Sequence, residues 1–362
     1  MRIALLTYST KPRGGVVHTV NLAEALARRG ADVTVWSLAR AGDRGFFRAV
    51  DPAVGIRLVE FTDLPGDTVT DRIVRSIEVL ARAFTPDDYD IVHAQDCISA
   101  NAVGACLRTI HHLDEFTTPI LAECHEKAIV QPYARICVSA AVAAEVRSGW
   151  GLDPEVIPNG VDAQRFIDAA SDTQGLRRWR HELGRYVLTV GGIEPRKGTV
   201  DLVEAFHLLR RDHPDLQLVI AGGETLFDYR DYRAEFDSRC AALDITPVIL
   251  GAIADDALPS LVAACEVFAF PSTKEGFGLA ALEALAAGRP VVARNLPVLR
   301  EVFGDTVRYA DNPAGFAATM AQVLTNPGDA APGRALARAL TWDDAARAHL
   351  DFYREQLPLF QR

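Results

Sequence analysis

Short apolar runs alternate with amphipathic helical stretches along almost the whole chain, and they do so in two successive sets. In the first, RIALLTY (2–8) reads as a strand, KPRGG (11–15) as a loop and VVHTVNLAEALARRG (16–30) as a helix stopped by Gly30. DVTVWSL (32–38) follows as the next strand, which makes a βαβ unit with a right-handed crossover. GIRLVEF, DIVHAQD, LRTIHHL, RICVSA and PEVIPNG continue the strand pattern, separated by helical stretches such as DRIVRSIEVLARAF. Strand alternating with helix in this way requires a parallel sheet covered on both faces.

Residues 163–184, AQRFIDAASDTQGLRRWRHELG, break the pattern and read as a polar connection between domains. A second set then begins: strand YVLTVGG, helix TVDLVEAFHLLRRDHP, strands LQLVIAGG and PVILGA, helix DALPSLVAAC, strand EVFAFPS, helix LAALEALAAG and strand RPVVAR. A length of 362 residues also suits two domains better than one core. The expected fold class is therefore α/β, with two Rossmann-like domains over 1–168 and 169–340. A terminal helical pattern covers 341–362. Two such sheets facing each other make a cleft, because ligands of open α/β sheets bind beyond the carboxyl ends of the strands.

Composition removes several function classes. The net charge of −10 is spread evenly, so no basic footprint of a nucleic-acid binder exists. No run of about 18 apolar residues and no signal-peptide flank are present, which places the chain in the cytoplasm with at most peripheral membrane contact. The six cysteines show no C-x-x-C spacing and read as reduced, buried thiols. Arginine outnumbers lysine 34 to 4, so each lysine inside a motif carries more weight.

Three loops at expected strand ends carry chemistry. Gly14 and Gly15 lie between the first strand and first helix, where bare backbone and helix-start N–H groups suit an anion. Their spacing is not G-x-G-x-x-G, which argues against a dinucleotide oxidoreductase. In GGIEPRKGT (191–199), Arg196 and Lys197 sit at the start of a helix opening near Thr199. Cations there oppose the helix dipole, and a phosphate explains them better than a solvated turn does.

The third loop, KEGFGLAALEALAAG (274–288), holds Glu275 and Glu283 eight positions apart in an otherwise apolar segment. Gly276 and Gly278 free backbone N–H groups at a second helix start, flanked by Phe277 and Leu279. Glu283 lies about one turn, roughly 6 Å, deeper along the helix axis. Its neighbours Leu279, Ala280, Ala286 and Ala287 are apolar, so a solvated role fits poorly. Two carboxylates so placed can accept hydrogen bonds from two parts of one ligand, and a ribose diol is a suitable partner. His111 and His112, in RTIHHLDEF, fall at another strand end. Their spacing matches no zinc pattern, successive strand residues face opposite sides, and no metal is expected.

These residues resemble the retaining GT-B glycosyltransferases of family 4. The likeness rests on the glycine pair at 14–15, T-I-H at 109–111, VIPNGVD at 156–162, VGGIEPRKG at 190–198, VIAGG at 219–223 and LGAI at 250–253. PSTKEGFGLAALEALAAGRPVV at 271–292, with its E-x7-E pair, is the most specific part, and TWDDAARAHLDFYREQL looks like the family's helix crossing back onto the first domain. The resemblance implies an acceptor domain first, a donor domain second, and no cofactor, the nucleoside diphosphate sugar being a substrate. It implies that Lys197 binds the donor diphosphate, Glu275 the transferred sugar and Glu283 the ribose. On the same resemblance Gly14 and Gly15 would line the phosphates, and Gly223, Gly276, Phe277, Gly278 and Leu279 would contact the donor. His111 is the cleft histidine, with His112 as alternate. Gly192 stands where many members have a phosphate-binding arginine, a role Arg196 would take over.

The implied reaction is metal-independent hexosyl transfer from a UDP- or GDP-sugar to an acceptor hydroxyl, with retention. No pair of carboxylates flanks the anomeric carbon as a double displacement would require, so front-face attack is expected. The acceptor, whether small molecule, glycan or lipid-linked, is left open, because the loops near 40–72 and 112–131 carry no motif. A UDP-GlcNAc 2-epimerase-like enzyme and an inactive GT-B-like nucleotide-sugar binder share the architecture and are the alternatives.

Overall fold

The computed structural model describes residues 1–114, 116, 118–222 and 229–360. The chain forms two compact units, Met1–Gly160 with Trp342–Arg362, and Val161–Thr341.

The first unit is built on seven parallel strands: β1 (Arg2–Thr7), β2 (Asp32–Arg40), β3 (Gly55–Phe61), β4 (Ile91–Ala94), β5 (Leu107–Ile110), β6 (Ala134–Cys137) and β7 (Glu155–Val156). Their order is β3-β2-β1-β4-β5-β6-β7, so the sheet reverses direction of growth at β1/β4. Ile3 to Leu6 on β1 and Ile91 to Ala94 on β4 are fully buried, which is why β1 reads as an unbroken apolar run and β4 departs from one only at His93. The helix Gly14–Arg28 packs beside the sheet and against the terminal helix Trp342–Phe360, whose Tyr353 is fully buried.

The second unit repeats the plan with β8 (Arg185–Val190), β9 (Leu216–Ala221), β10 (Val248–Gly251), β11 (Val267–Phe270), β12 (Val291–Arg294) and β13 (Arg308–Ala310). The order is β10-β9-β8-β11-β12-β13, again all parallel, with the reversal at β8/β11. A core cluster joins β8, β9 and β11 to the helices Thr199–Leu209 and Pro313–Thr325 through Leu202, Phe206, Phe316 and Met320.

The stretch 163–184 is not a bare connection. It forms the helices Ala163–Ala169 and Thr173–Leu183, both in the second unit, so the division falls at Gly160/Val161 rather than at 168. These helices are mostly polar because few of their residues reach the core: Phe166, Trp179 and Leu183 are buried, and Trp179 Nε1 donates to Ser260 Oγ at 3.0 Å. All six cysteines are free, and no described helix is long and apolar enough to cross a membrane.

Candidate active site

The chemistry of the second unit gathers at the carboxyl ends of β8 and β11, the two strands on either side of its switch point. Pro195–Lys197 forms a short 3-10 turn after β8, and Gly198 then caps the helix Thr199–Leu209 in a left-handed conformation, φ 63°. A Cβ at Gly198 would lie 2.3 Å from the carbonyl oxygen of Pro271, just past β11. Only glycine lets these two strand-end loops touch. Thr273 N–H donates to Arg196 O at 2.8 Å, closing the second rung between them. Arg294 buttresses the same point, donating to Pro271 O at 2.8 Å while pairing with Asp201 at 2.5 Å.

This contact sets Lys197 against Glu275, Nζ to Oε1 at 2.5 Å, with both side chains largely buried. Arg196 stands 3.7 Å from the same carboxylate and 3.0 Å from Glu194, whose side chain is 7% exposed. Burial by itself would raise the Glu275 carboxyl, but Lys197 and then Arg196 outweigh it and hold the group down at about 2. Glu275 is thus a carboxylate at any physiological pH. The expected phosphate-binding lysine and sugar-binding glutamate are each other's partner. Arg196, expected to stand in for an arginine at Gly192, belongs to the same cluster.

Past Glu275 the chain turns inward. Gly276 and Phe277 are buried, so only the backbone of Phe277 is free to meet a ligand. Gly278, at φ 102°, caps the helix Leu279–Ala286 with no side-chain cap, leaving first-turn N–H groups available. The helix Thr199–Leu209 differs here, because its Val200 N–H donates to the Tyr232 hydroxyl at 3.2 Å. The Leu279 helix is therefore the better anion cradle of the two. Gly223 lies outside the described residues.

Glu283 sits one turn into the Leu279 helix, and its carboxyl makes no hydrogen bond or ion pair among the described residues. The nearest cation, Arg165, is taken by Asp255 at 2.9 Å. Burial pushes Glu283 up to about 8 from an ordinary 4.5, opposed by Arg165 and reinforced by Asp255 and Asp162. Glu283 stays partly exposed on this helix of Ala and Leu, so its carboxyl is open to a hydroxylic ligand.

In the first unit, Gly14 and Gly15 open the helix Gly14–Arg28 as expected, and His111 follows β5. A Cβ at Gly15 would stand 3.4 Å from His111 Cδ2, so the two expected residues are neighbours. His111 Nε2 lies 3.3 Å from Gln95 Oε1, at the end of β4. Burial first, then His112 and Arg108, pull its imidazole down to about 3, so it is neutral. His112 instead pairs with Asp114 at 3.3 Å.

Sequence reasoning missed what supports His111. His18 packs edge-on against it, ring centroids 4.7 Å apart, and is itself fixed by Asn159 at 2.8 Å. His93 bridges Tyr353 and Thr109, both at 2.7 Å, tying the terminal helix to β4 and β5. The available signal was a histidine on the apolar face of an amphipathic helix. Among the described residues, no three His, Cys, Asp or Glu side chains converge as metal ligands.

Comparison with known proteins gives a consistent result. The model of the family described as glycosyl transferases group 1 matches residues 178–339, and that of glycosyltransferase family 4 matches 12–165. A D-inositol 3-phosphate glycosyltransferase of Pseudarthrobacter chlorophenolicus is 30% identical over 81% of this chain and 78% of its own. Its namesake from Salinispora tropica is 29% identical over 98% of this chain and 85% of its own. Among solved structures, sucrose-phosphate synthase of Thermosynechococcus elongatus superposes with a TM-score of 0.81 at 20% identity, covering 99% of each chain. Anabaena HepE, solved in complex with UDP-glucose, gives 0.73 at 18% identity, again over 99% of each. The two structures speak to the fold, which is GT-B, and the family models and the 30% relative to descent. The chain belongs to the glycosyl transferases group 1, family 4, and is a glycosyltransferase.

Proposed function

We propose that the protein transfers a hexose from a UDP- or GDP-sugar to an acceptor hydroxyl with retention of the anomeric configuration, no metal ion taking part. The observation that carries this reading is the Lys197–Glu275 pair at a strand end, with unpartnered Glu283 one helical turn beyond it. Such a row matches sugar, diphosphate and ribose in sequence. The diphosphate takes over Lys197 and Arg196 and meets the N–H groups after Gly278. Glu275, freed from part of its ion pair and held ionised, accepts hydrogen bonds from the sugar hydroxyls. Glu283 receives the ribose hydroxyls.

Bond cleavage builds negative charge on the leaving diphosphate, and preorganised cations and amides there stabilise it where it develops. The departing phosphate oxygen takes the acceptor proton as attack occurs from the same face. His111, kept neutral by its burial, is suited to exchange hydrogen bonds with a hydroxyl.

A thermal-shift panel of nucleotide sugars tests the donor assignment. One UDP- or GDP-sugar at a hundred times its Kd is expected to stabilise the fold by about 2.7 kcal/mol. A panel in which no nucleotide shifts the melt would remove the reading.

A further inference from the structure

Three separate elements of the first unit hold the ring of His111, and they leave one of its nitrogens free. Gly15, on the helix Gly14–Arg28, bars one edge, since a Cβ there would lie 3.4 Å from Cδ2 and 3.6 Å from Nε2. Gln95, just past β4, places its Oε1 3.3 Å from Nε2. His18 stands edge-on at 4.7 Å between ring centroids, with the two planes at 76°. Nδ1 has no hydrogen-bond partner among the described residues, and His111 is part exposed. Nδ1 is the nitrogen left for a ligand.

Core packing alone explains neither Gln95 nor His18. Gln95 is 2% exposed, and its Nε2 has no acceptor among the described residues. His18 is fully buried; its Nδ1 meets Asn159 Oδ1 at 2.8 Å, while its Nε2 is unmatched. A half-satisfied polar side chain in a core costs free energy that an apolar one of the same size would not. Both are also firmly mounted. Gln95 N–H donates to Leu6 O at 2.9 Å, and the next residue, Asp96, accepts from Tyr8 N–H at 2.9 Å and caps the helix Cys97–Val103. The rings of Trp342 at 5.4 Å and His349 at 6.1 Å back His18 from the terminal helix.

We propose that Gln95 and His18 are positioning residues for His111, Gln95 selecting its tautomer and His18 its ring angle, so that Nδ1 is presented to a substrate hydroxyl in one form. In a neutral imidazole, the hydrogen bond made at one nitrogen decides whether the other donates or accepts. Burial keeps His111 neutral, so the selection persists across the physiological range. The inference rests on the reading that His111 meets a substrate hydroxyl.

The test joins heteronuclear NMR of the full chain, labelled at the histidine nitrogens, to steady-state kinetics on the donor that is turned over. The His111 signals are assigned by their loss in His111→Gln. Wild type is expected to show one His111 tautomer, Gln95→Met a mixture, and Gln95→Glu, which keeps an oxygen at the same place, one tautomer again. Gln95→Met is expected to lower kcat about tenfold or more, with the donor KM within about twofold, and Gln95→Glu to recover part of the loss. His18→Asn keeps a polar group toward Asn159 but removes the ring, and is expected to lose kcat to a similar degree. His18→Phe keeps a ring against His111 and should stay within about threefold of wild type, which decides the point if His18→Asn fails to fold. A tautomer mixture in wild type, an unchanged tautomer in Gln95→Met, equal losses in Gln95→Met and Gln95→Glu, or a wild-type rate in His18→Asn would overturn the inference alone. A wild-type rate in His111→Gln, or no turnover of any nucleotide sugar, removes the functional reading and the inference with it.

Discussion

Glu275 and Glu283 sit eight residues apart and are driven in opposite directions by what surrounds them. Two cations hold Glu275 ionised, whereas desolvation of the partly buried Glu283, with no ion-pair partner among the described residues, lifts it to about 8. Since the folded value of Glu283 lies above its unfolded one, its contribution to stability is full below about 4.5 and is lost as pH rises through 8. Glu283→Gln is therefore expected to raise the melting temperature at pH above 8 and to flatten its fall with pH, in a series of calorimetric melts. Parallel melting curves for the two chains would show that Glu283 is not buried unpaired. On the proposed reading Lys197 meets the charge on the leaving group, so Lys197→Ala should lower kcat about 10²–10³-fold. A rate within about threefold of wild type would show that the charge on the leaving group is met elsewhere. Both acids were legible in the sequence, because a carboxylate in a run of Ala and Leu is energetically conspicuous. Their difference was not, since the Lys197–Glu275 contact joins residues 78 positions apart.

At the scale of elements, that contact is made by glycine. Gly198 joins the loop after β8 to the loop after β11, at a φ of 63° and with Pro271 O where a side chain would begin. Gly198→Ala adds a left-handed strain of about 1–2 kcal/mol to an overpacking cost of about 1–3 kcal/mol. Denaturant melts should report a loss in that combined range, with donor affinity falling as Lys197 and Glu275 separate. An unchanged midpoint would show that the loops do not need to touch. Strand ends were read well from sequence because the buried strands are continuous apolar runs. The helices of 163–183 were missed because Phe166, Trp179 and Leu183 are too sparse to mark a period against so many charges. His18 and His93 escaped notice for a related reason: a buried histidine is legible only once its partners, Asn159, Tyr353 and Thr109, are known.

Across the whole molecule, two sheets of one design, each reversing next to its first strand, supply two sets of strand-end loops. The second set carries Lys197, Glu275 and Glu283; the first carries His111 and the glycine pair. The chain leaves the first unit at Gly160 and returns at Trp342, and Val161 N–H donates to Leu340 O at 2.9 Å where the two passages run together. The return places Trp342 and His349 beside His18 and makes the terminal helix part of the first unit's core. The central claim, retaining transfer from a nucleotide sugar, is tested most directly by proton NMR of the reaction of the best-binding donor with its acceptor. A product with the donor's anomeric configuration, formed equally well with a chelator present and not formed by Lys197→Ala, is the expected result. An inverted product, or a donor isomerised at its sugar with no acceptor present, would contradict it.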